Sequence, residues 1–198
     1  MCIRDSYLDK DPKICAEMHL DKHVVKMIIE YAQLMSTAHR VLDGKEYTDL
    51  TANGRRIKRW KMDDEQLEKS LMKASHINHP SGIWVRDNKE NYLWLNRMWI
   101  YLLKEYTHRY GKHHACEKYM DALYLLPKNF PSSPGFFPPT PAMPSEVKIL
   151  AENSIPGRKY DSLASYHNYY IKHKSYFAKW TKRPVPTWYS EGIELANI

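Results

Sequence analysis

Leu20, Val24, Met27, Tyr31, Leu34, Met35, Ala38 and Leu42 recur every three or four residues. A row with that spacing lies on one face of an α-helix, whereas a strand would alternate every second residue. Asp11-Pro12 supplies an N-cap acceptor followed by a proline at the first helical position, and Asp43-Gly44 supplies the stop. The spacing predicts a helix over 12–42, with irregularity near 15–18. So long an apolar face must be buried against other helices. A second helix is expected over 82–110, capped by Ser81, with an aromatic-rich face of Ile83, Trp84, Leu95, Met98, Trp99, Leu102 and Tyr106 and with Gly111 past its end. A third is expected over 112–126, stopping before Pro127. A last one over 161–180 carries Tyr166, Tyr169, Tyr170, Tyr176, Phe177 and Trp180. No repeat, heptad array or convincing strand pair is read. The expected fold is mainly α: a single compact domain of three to five helices.

The segments between these helices are expected to be irregular. Residues 45–75 read as a surface insertion. It is turn-like over 47–54, then Arg55, Arg56, Lys58, Arg59 and Lys61 crowd around Trp60, and 63–73 suits an exposed helix capped by Asp63 or Asp64. Residues 127–145 hold seven of the 12 prolines together with Phe130, Phe136 and Phe137. A Pro-rich loop of that length is either mobile or pinned by its own aromatics. The segment 183–189 reads as extended, because Pro184 and Pro186 disfavour helix before them. Residues 1–6, Met-Cys-Ile-Arg-Asp-Ser, resemble a translated sequencing-adaptor remnant. They are expected to be a non-native leader, with the single α-helical domain occupying 7–198.

With 43% hydrophobic residues over 198, the chain is not mainly disordered. No apolar run approaches the roughly 20 residues of a membrane span, and no membrane partner is expected. Near the start there is no apolar signal-peptide core. Cys2, Cys15 and Cys116 lie far apart with no CxxC, which argues against a disulfide framework and for a reduced, intracellular compartment. The net charge of +7 favours a polyanionic partner, nucleic acid first. Composition does not separate an enzyme acting on nucleic acid from a passive binder. No cofactor is expected.

His19, His23, Lys26, Glu30, Gln33 and Thr37 form a second stripe on the first helix. It places proton-transfer groups, an amine, a carboxylate and an amide in one row. The same row would suit a solvated face whose Lys26–Glu30 pair adds only about 0.3–0.5 kcal/mol. His19 and His23 have the i,i+4 spacing of two metal ligands, and His76, His79, His113 or His114 would have to complete the site. The expectation is a solvent-facing pair and no metal. His76-x-Asn78-His79 precedes a helix N-terminus, where amides and the helix dipole suit a phosphate, although Asn78 and His79 would equally serve the local turn. Arg86 is counted with them as a nucleic-acid contact. From Arg158 to Arg183 there are seven basic residues and one acid, Asp161. Lys172, Lys174, Lys179, Lys182 and Arg183 are interleaved there with tyrosines and Trp180. That combination fits phosphate neutralisation and base stacking, or else an aromatic core with a solvated lysine face.

Asp21-x-His23 followed by Glu30, together with Arg183-Pro184-x-Pro186-Thr187-Trp188-Tyr189, resembles two segments of the phage endonuclease V family of pyrimidine-dimer DNA glycosylases. The C-terminal match carries two extra residues. The layout Asp21-Lys22-His23-Val24-Val25-Lys26-Met27 with Ile77-Asn78-His79-Pro80 also resembles uncharacterised small proteins of phages and marine bacteria. The resemblance implies a compact α protein that kinks duplex DNA, flips a base and cleaves its glycosidic bond. It implies that Glu30 manages protons and stabilises the sugar cation, that His23 contacts the DNA backbone, and that Trp188 and Tyr189 form the aromatic tail. The family attacks the sugar with its N-terminal α-amine. That amine has no identifiable counterpart here, so Lys26 stands as the internal alternative. The rival expectations are a non-catalytic nucleic-acid-binding accessory protein and a phage DNA-base modifying transferase.

Overall fold

The structure is a computed structural model that describes residues 7–131, 135–155 and 158–196. The expected leader at 1–6, and 132–134 of the Pro-rich loop, lie outside the described residues. The fold is mainly α, as the periodicity requires. Among the described residues there are eight α-helices rather than three to five, and two two-stranded antiparallel sheets that the sequence reading did not anticipate. The chain divides into two compact units. The first takes the residues up to Ile28, Arg97–His114 and those from Phe137 onward; the second takes Ile29–Asn96 and Ala115–Phe136.

In the first unit, α1 is Pro12–Met18, and Asp11 caps it by accepting from the Lys13 and Ile14 amides at 2.8 and 3.0 Å. The helix expected over 12–42 breaks after Met18. His19 is extended, its Nδ1–H donates to the Cys15 carbonyl at 2.7 Å, and α2 starts afresh as Asp21–Asp43. The cause is tertiary. The Asp21 amide donates to the Lys179 carbonyl at 2.8 Å, so the backbone there serves another segment instead of the preceding turn. The core gathers Leu8, Leu20, Val24, Met27, Ile28, Trp99, Leu102, Tyr166 and Tyr170, with Trp99 Nε1–H donating to the Ile28 carbonyl at 2.9 Å. A hairpin, β3 (Ile149–Ile155) and β4 (Arg158–Asp161), leads into α7. Asp161 caps α7, Ser162–Lys174, and a 3₁₀ turn, Ser175–Phe177, follows where a helix to 180 was expected. The supposedly extended segment at 183–189 runs into α8, Thr187–Ala196. Pro184 and Pro186 stand before its first turn, where proline is tolerated, and the Pro186 carbonyl accepts the Tyr189 amide at 3.0 Å. Gly192 lets α8 approach α7, for a Cβ there would collide with Ile171.

In the second unit, the remainder of α2 meets the 45–75 insertion. That insertion is a hairpin plus a short helix, not a turn-like surface segment. Strands β1 (Lys45–Leu50) and β2 (Arg56–Lys61) pair from Lys45 opposite Lys61 to Leu50 opposite Arg56. Gly44 makes the tight passage from α2 into β1 possible, since a Cβ would lie 2.5 Å from the Arg40 carbonyl and 3.2 Å from that of Lys61. Helix α3, Glu65–Ser70, is capped by Asp64. Arg40 fastens the whole insertion. Its Nε donates to the Met72 carbonyl, Nη1 to the Trp60 carbonyl and the Glu68 carboxylate, and Nη2 to the Glu68 and Leu71 carbonyls, at 2.6–3.0 Å.

The helix expected over 82–110 is two helices, α4 (Pro80–Asp87) and α5 (Lys89–Tyr110), parted at Asn88. Asn88 is extended, and its Oδ1 accepts the Asn91 amide at 2.7 Å, which begins a new helix. His79 caps α4, not Ser81; its Nδ1 accepts the Ser81 amide at 3.2 Å. In place of a helix over 112–126 there is a 3₁₀ turn, Ala115–Tyr119, and α6, Met120–Tyr124. Within this unit the described parts of the Pro-rich loop, 127–131 and 135–136, are held by side-chain contacts. Phe130 packs on Tyr92, Phe136 on Trp84 and Trp94, and Asp43 accepts the Lys128 and Asn129 amides.

Candidate nucleic-acid interface

The polar row on α2 is not a solvated face. In the second unit Glu30 is 0% exposed and Thr37 is buried. Gln33 Nε2 donates to the Lys73 carbonyl at 2.7 Å, while the Thr37 hydroxyl donates to the Ser75 carbonyl and accepts the Ser75 amide. The row therefore satisfies the backbone that returns from the insertion. In the first unit His19 and His23 are buried, which corrects the expectation of a solvent-facing pair. His23 Nδ1 shares a 2.8 Å hydrogen bond with the Tyr170 hydroxyl, and Tyr170 and Phe177 meet its ring edge-on. Lys26 is exposed.

Burial, reinforced by neighbouring His19 and by the charges of Lys174 and Lys26, pushes the His23 imidazole down to about 2. His23 can therefore position or hydrogen-bond a ligand as a neutral group, but it brings no positive charge to a phosphate. In the second unit, burial pushes His39 down to about 4. There the Tyr92 hydroxyl donates to the Leu123 carbonyl and accepts from His39 Nε2–H at 2.9 Å. Both histidines are neutral when folded and take up a proton only on unfolding once the pH falls below about 6.5. Stability is thus fully present above that pH and should fall by about 1.4 kcal/mol per pH unit for each histidine on acidification. Asp21 and Glu105 act lower. Burial would raise both, but hydrogen bonds from Thr181 and Arg109 onto Asp21, and from Arg183 and Arg109 onto Glu105, outweigh it and hold them below the usual range. Their contribution is lost only below about pH 4. Urea denaturation between pH 7.5 and 4.5 checks this; a flat profile would refute buried neutral histidines.

The basic residues of the first unit divide by what their charge already meets. Arg183 pairs with Glu105 at 2.8 Å and Glu17 at 3.2 Å, and those carboxylates hold its proton more tightly. Lys182 Nζ donates to the His108 carbonyl at 3.0 Å while the side chain stays exposed. Lys172 and Lys179 are exposed, and Lys174 lies over Tyr169 and Phe177, 4.8 and 5.7 Å from the ring centres. Trp188 and Tyr189 belong to the packing of α8. Trp188 stacks on His167 at 3.8 Å and 3°, and Tyr189 is buried beside Trp180.

The remaining sequence-selected residues lie in the second unit. His76 and Asn78 are exposed, and His76 takes a left-handed φ of 51°. His79 serves as the helix cap. Arg86 is half-buried, and burial lowers the pKa of its guanidinium; Nη1 has no hydrogen-bond partner among the described residues. Arg86 reaches back along α4 toward Gly82, where a Cβ would lie 3.7 Å from Nη1.

Two neighbouring residues of the first unit were not selected from the sequence as site residues, Lys22 and Phe177. Lys22 Nζ stands 4.8 Å from the Phe177 ring centre. The i,i+4 pair Lys22 and Lys26 on the exposed face of α2 was the available signal. Arg40 and Arg109 gave none, because a lone arginine in a helix does not announce its burial. Cys15 and Cys116 are buried, and Cys15 Sγ accepts the Leu8 amide at 3.3 Å. No three His, Cys, Asp or Glu side chains are grouped to hold a metal ion among them, and none of the described helices is long and apolar enough to cross a membrane. No protein-family model, curated protein or solved structure matches the chain.

Proposed function

We propose that the chain is a DNA-binding enzyme of the glycosylase/lyase type that acts on a damaged or modified pyrimidine. The observation that carries this reading is Glu30, a carboxylate with no exposed surface. It stands on α2 where the resemblance to the endonuclease V family calls for a proton-managing glutamate. A carboxylic group in an interior is costly unless the surroundings compensate it, and functional sites are where such placements concentrate. Cleavage breaks the bond between the sugar's anomeric carbon and the base. The base departs with the bonding electrons and takes up a proton, and an amine or water forms the new bond to that carbon. Glu30 would offset the positive charge that develops on the sugar.

The exposed lysines Lys172, Lys179, Lys182, Lys22 and Lys26, with the half-buried Lys174, would supply the phosphate contacts. A second reading, a non-catalytic nucleic-acid binder, is favoured by the lysines gathered on Phe177, which need no carboxylate. Incubation with a panel of lesion-bearing duplexes, with borohydride to capture an amine adduct, separates the two. Under either reading the logarithm of the DNA association constant should fall by about 0.9 per log unit of salt for each phosphate neutralised. Absence of binding to any nucleic acid at low salt would remove both.

A further inference from the structure

Tyr176 is 83% exposed, more than any other large apolar or aromatic side chain among the described residues. It is nevertheless not on a loose segment. It sits in the 3₁₀ turn Ser175–Phe177, closed by the Ala178 amide donating to the Ser175 carbonyl at 3.3 Å. Its ring meets Phe177 edge-on at 4.6 Å. Phe177 in turn rests on His23, at 5.9 Å between ring centres, and His23 is hydrogen-bonded to Tyr170 in the core. An outward tyrosine is thus fixed, through two rings, to the interior of the first unit.

Charge surrounds this support. Lys22 and Lys174 both approach the Phe177 ring, at 4.8 and 5.7 Å. No Asp or Glu occurs between Asp161 and Glu191, and nearby Asp21 is engaged by Arg109 and Thr181. An exposed aromatic face supported by a second ring and flanked by two cations is what a nucleotide needs: stacking for the base and charge for the phosphate.

We infer that Tyr176 stacks on an unpaired base while Lys22 and Lys174 contact the adjoining phosphates, so that this surface takes single-stranded nucleic acid. The inference rests on the nucleic-acid reading above and names the form of nucleic acid that this surface takes. A base inside a duplex offers no free face to Tyr176. An anionic bilayer would favour several exposed aliphatic side chains here, whereas Tyr176 is flanked by Lys174, Ser175, Phe177 and Ala178.

The test uses a labelled oligodeoxythymidine about 12 nucleotides long, within the site sizes such surfaces cover, together with a lesion-free duplex and phosphatidylserine vesicles. Tyr176→Ala should weaken single-strand binding by about 5- to 100-fold. Tyr176→Phe should keep it, and duplex binding should change far less. Lys22→Gln and Lys174→Gln should each lower the single-strand salt slope by about 0.7. An exposed side chain leaves the fold intact, which an unchanged thermal midpoint checks. If Tyr176→Ala binds the single strand as wild type does while duplex binding persists, this inference fails and the nucleic-acid reading survives. If the wild type binds neither DNA, both fail. Vesicle binding that depends on Tyr176, without a single-strand effect, would assign the surface to a membrane and overturn the inference.

Discussion

Arg109→Met is expected to destabilise the first unit by about 3–5 kcal/mol, the cost of breaking a buried ion pair from one side. The Arg109 side chain is 0% exposed. Its Nε donates to Glu105 at 2.6 Å, Nη1 to Asp21 at 2.9 Å and Nη2 to the Glu17 carbonyl at 2.9 Å. Glu105 is itself almost wholly covered and also receives Arg183. Removing the guanidinium leaves Glu105 charged in the interior with a single remaining partner. The double variant Arg109→Met with Glu105→Gln should recover part of the loss, because the stranded charge is gone. Denaturant titration of the three proteins reads the difference. A loss below about 1 kcal/mol would place the pair with surface ion pairs instead.

This network has a positional consequence as well as an energetic one. Asp21 accepts from the Thr181 amide at 2.9 Å and from its hydroxyl at 2.6 Å, so the start of α2, the last turn of α5 and the segment around Thr181 are joined at one carboxylate. Lys179 and Lys182 flank that segment. Their placement in the first unit depends on a junction made of residues that carry no charge to the surface.

The parts of the fold that sequence could reveal are those governed by local rules. Asp11-Pro12 and Asp64, the latter one of two expected caps, start helices by side-chain acceptance within three residues, although α3 is shorter than the 63–73 expected. The mainly α class follows from the apolar rows on α2 and α5. The failures share a different cause. Asn53-Gly54 marks the β1–β2 turn, and Gly54 takes a φ of 71°, but β2 is so rich in Lys and Arg, and β1 so largely polar, that their alternation is hidden. The break before Asp21 depends on Lys179, Thr181 and Arg109, residues far along the chain. The polar row on α2 was legible as a row. Its burial was not, since His23 is covered by Tyr170 and Phe177, and Gln33 and Thr37 are met by the 73–75 backbone. Spacing tells which side chains share a face; it does not tell whether that face meets water or another segment.

Glu30→Gln is the substitution that weighs most on the proposed chemistry. Glutamine keeps the volume and removes the acid–base group, so it tests that group and not the shape of the site. Loss of a positioned proton-transfer group lowers turnover by about 10²–10⁴-fold. A loss in that range on a lesion-bearing duplex is the expected result. The fall should appear in kcat and not in DNA affinity. If Glu30 serves only the packing of the second unit, the variant's thermal midpoint drops while the folded fraction turns over normally. That outcome would remove the catalytic assignment. Peptide mapping of an adduct trapped with borohydride on the wild type then identifies the attacking amine. An adduct on Lys26 would make the nucleophile internal, four residues before Glu30 on the same helix, and the two substitutions Lys26→Gln and Glu30→Gln would be non-additive in turnover, as groups that act on one step are.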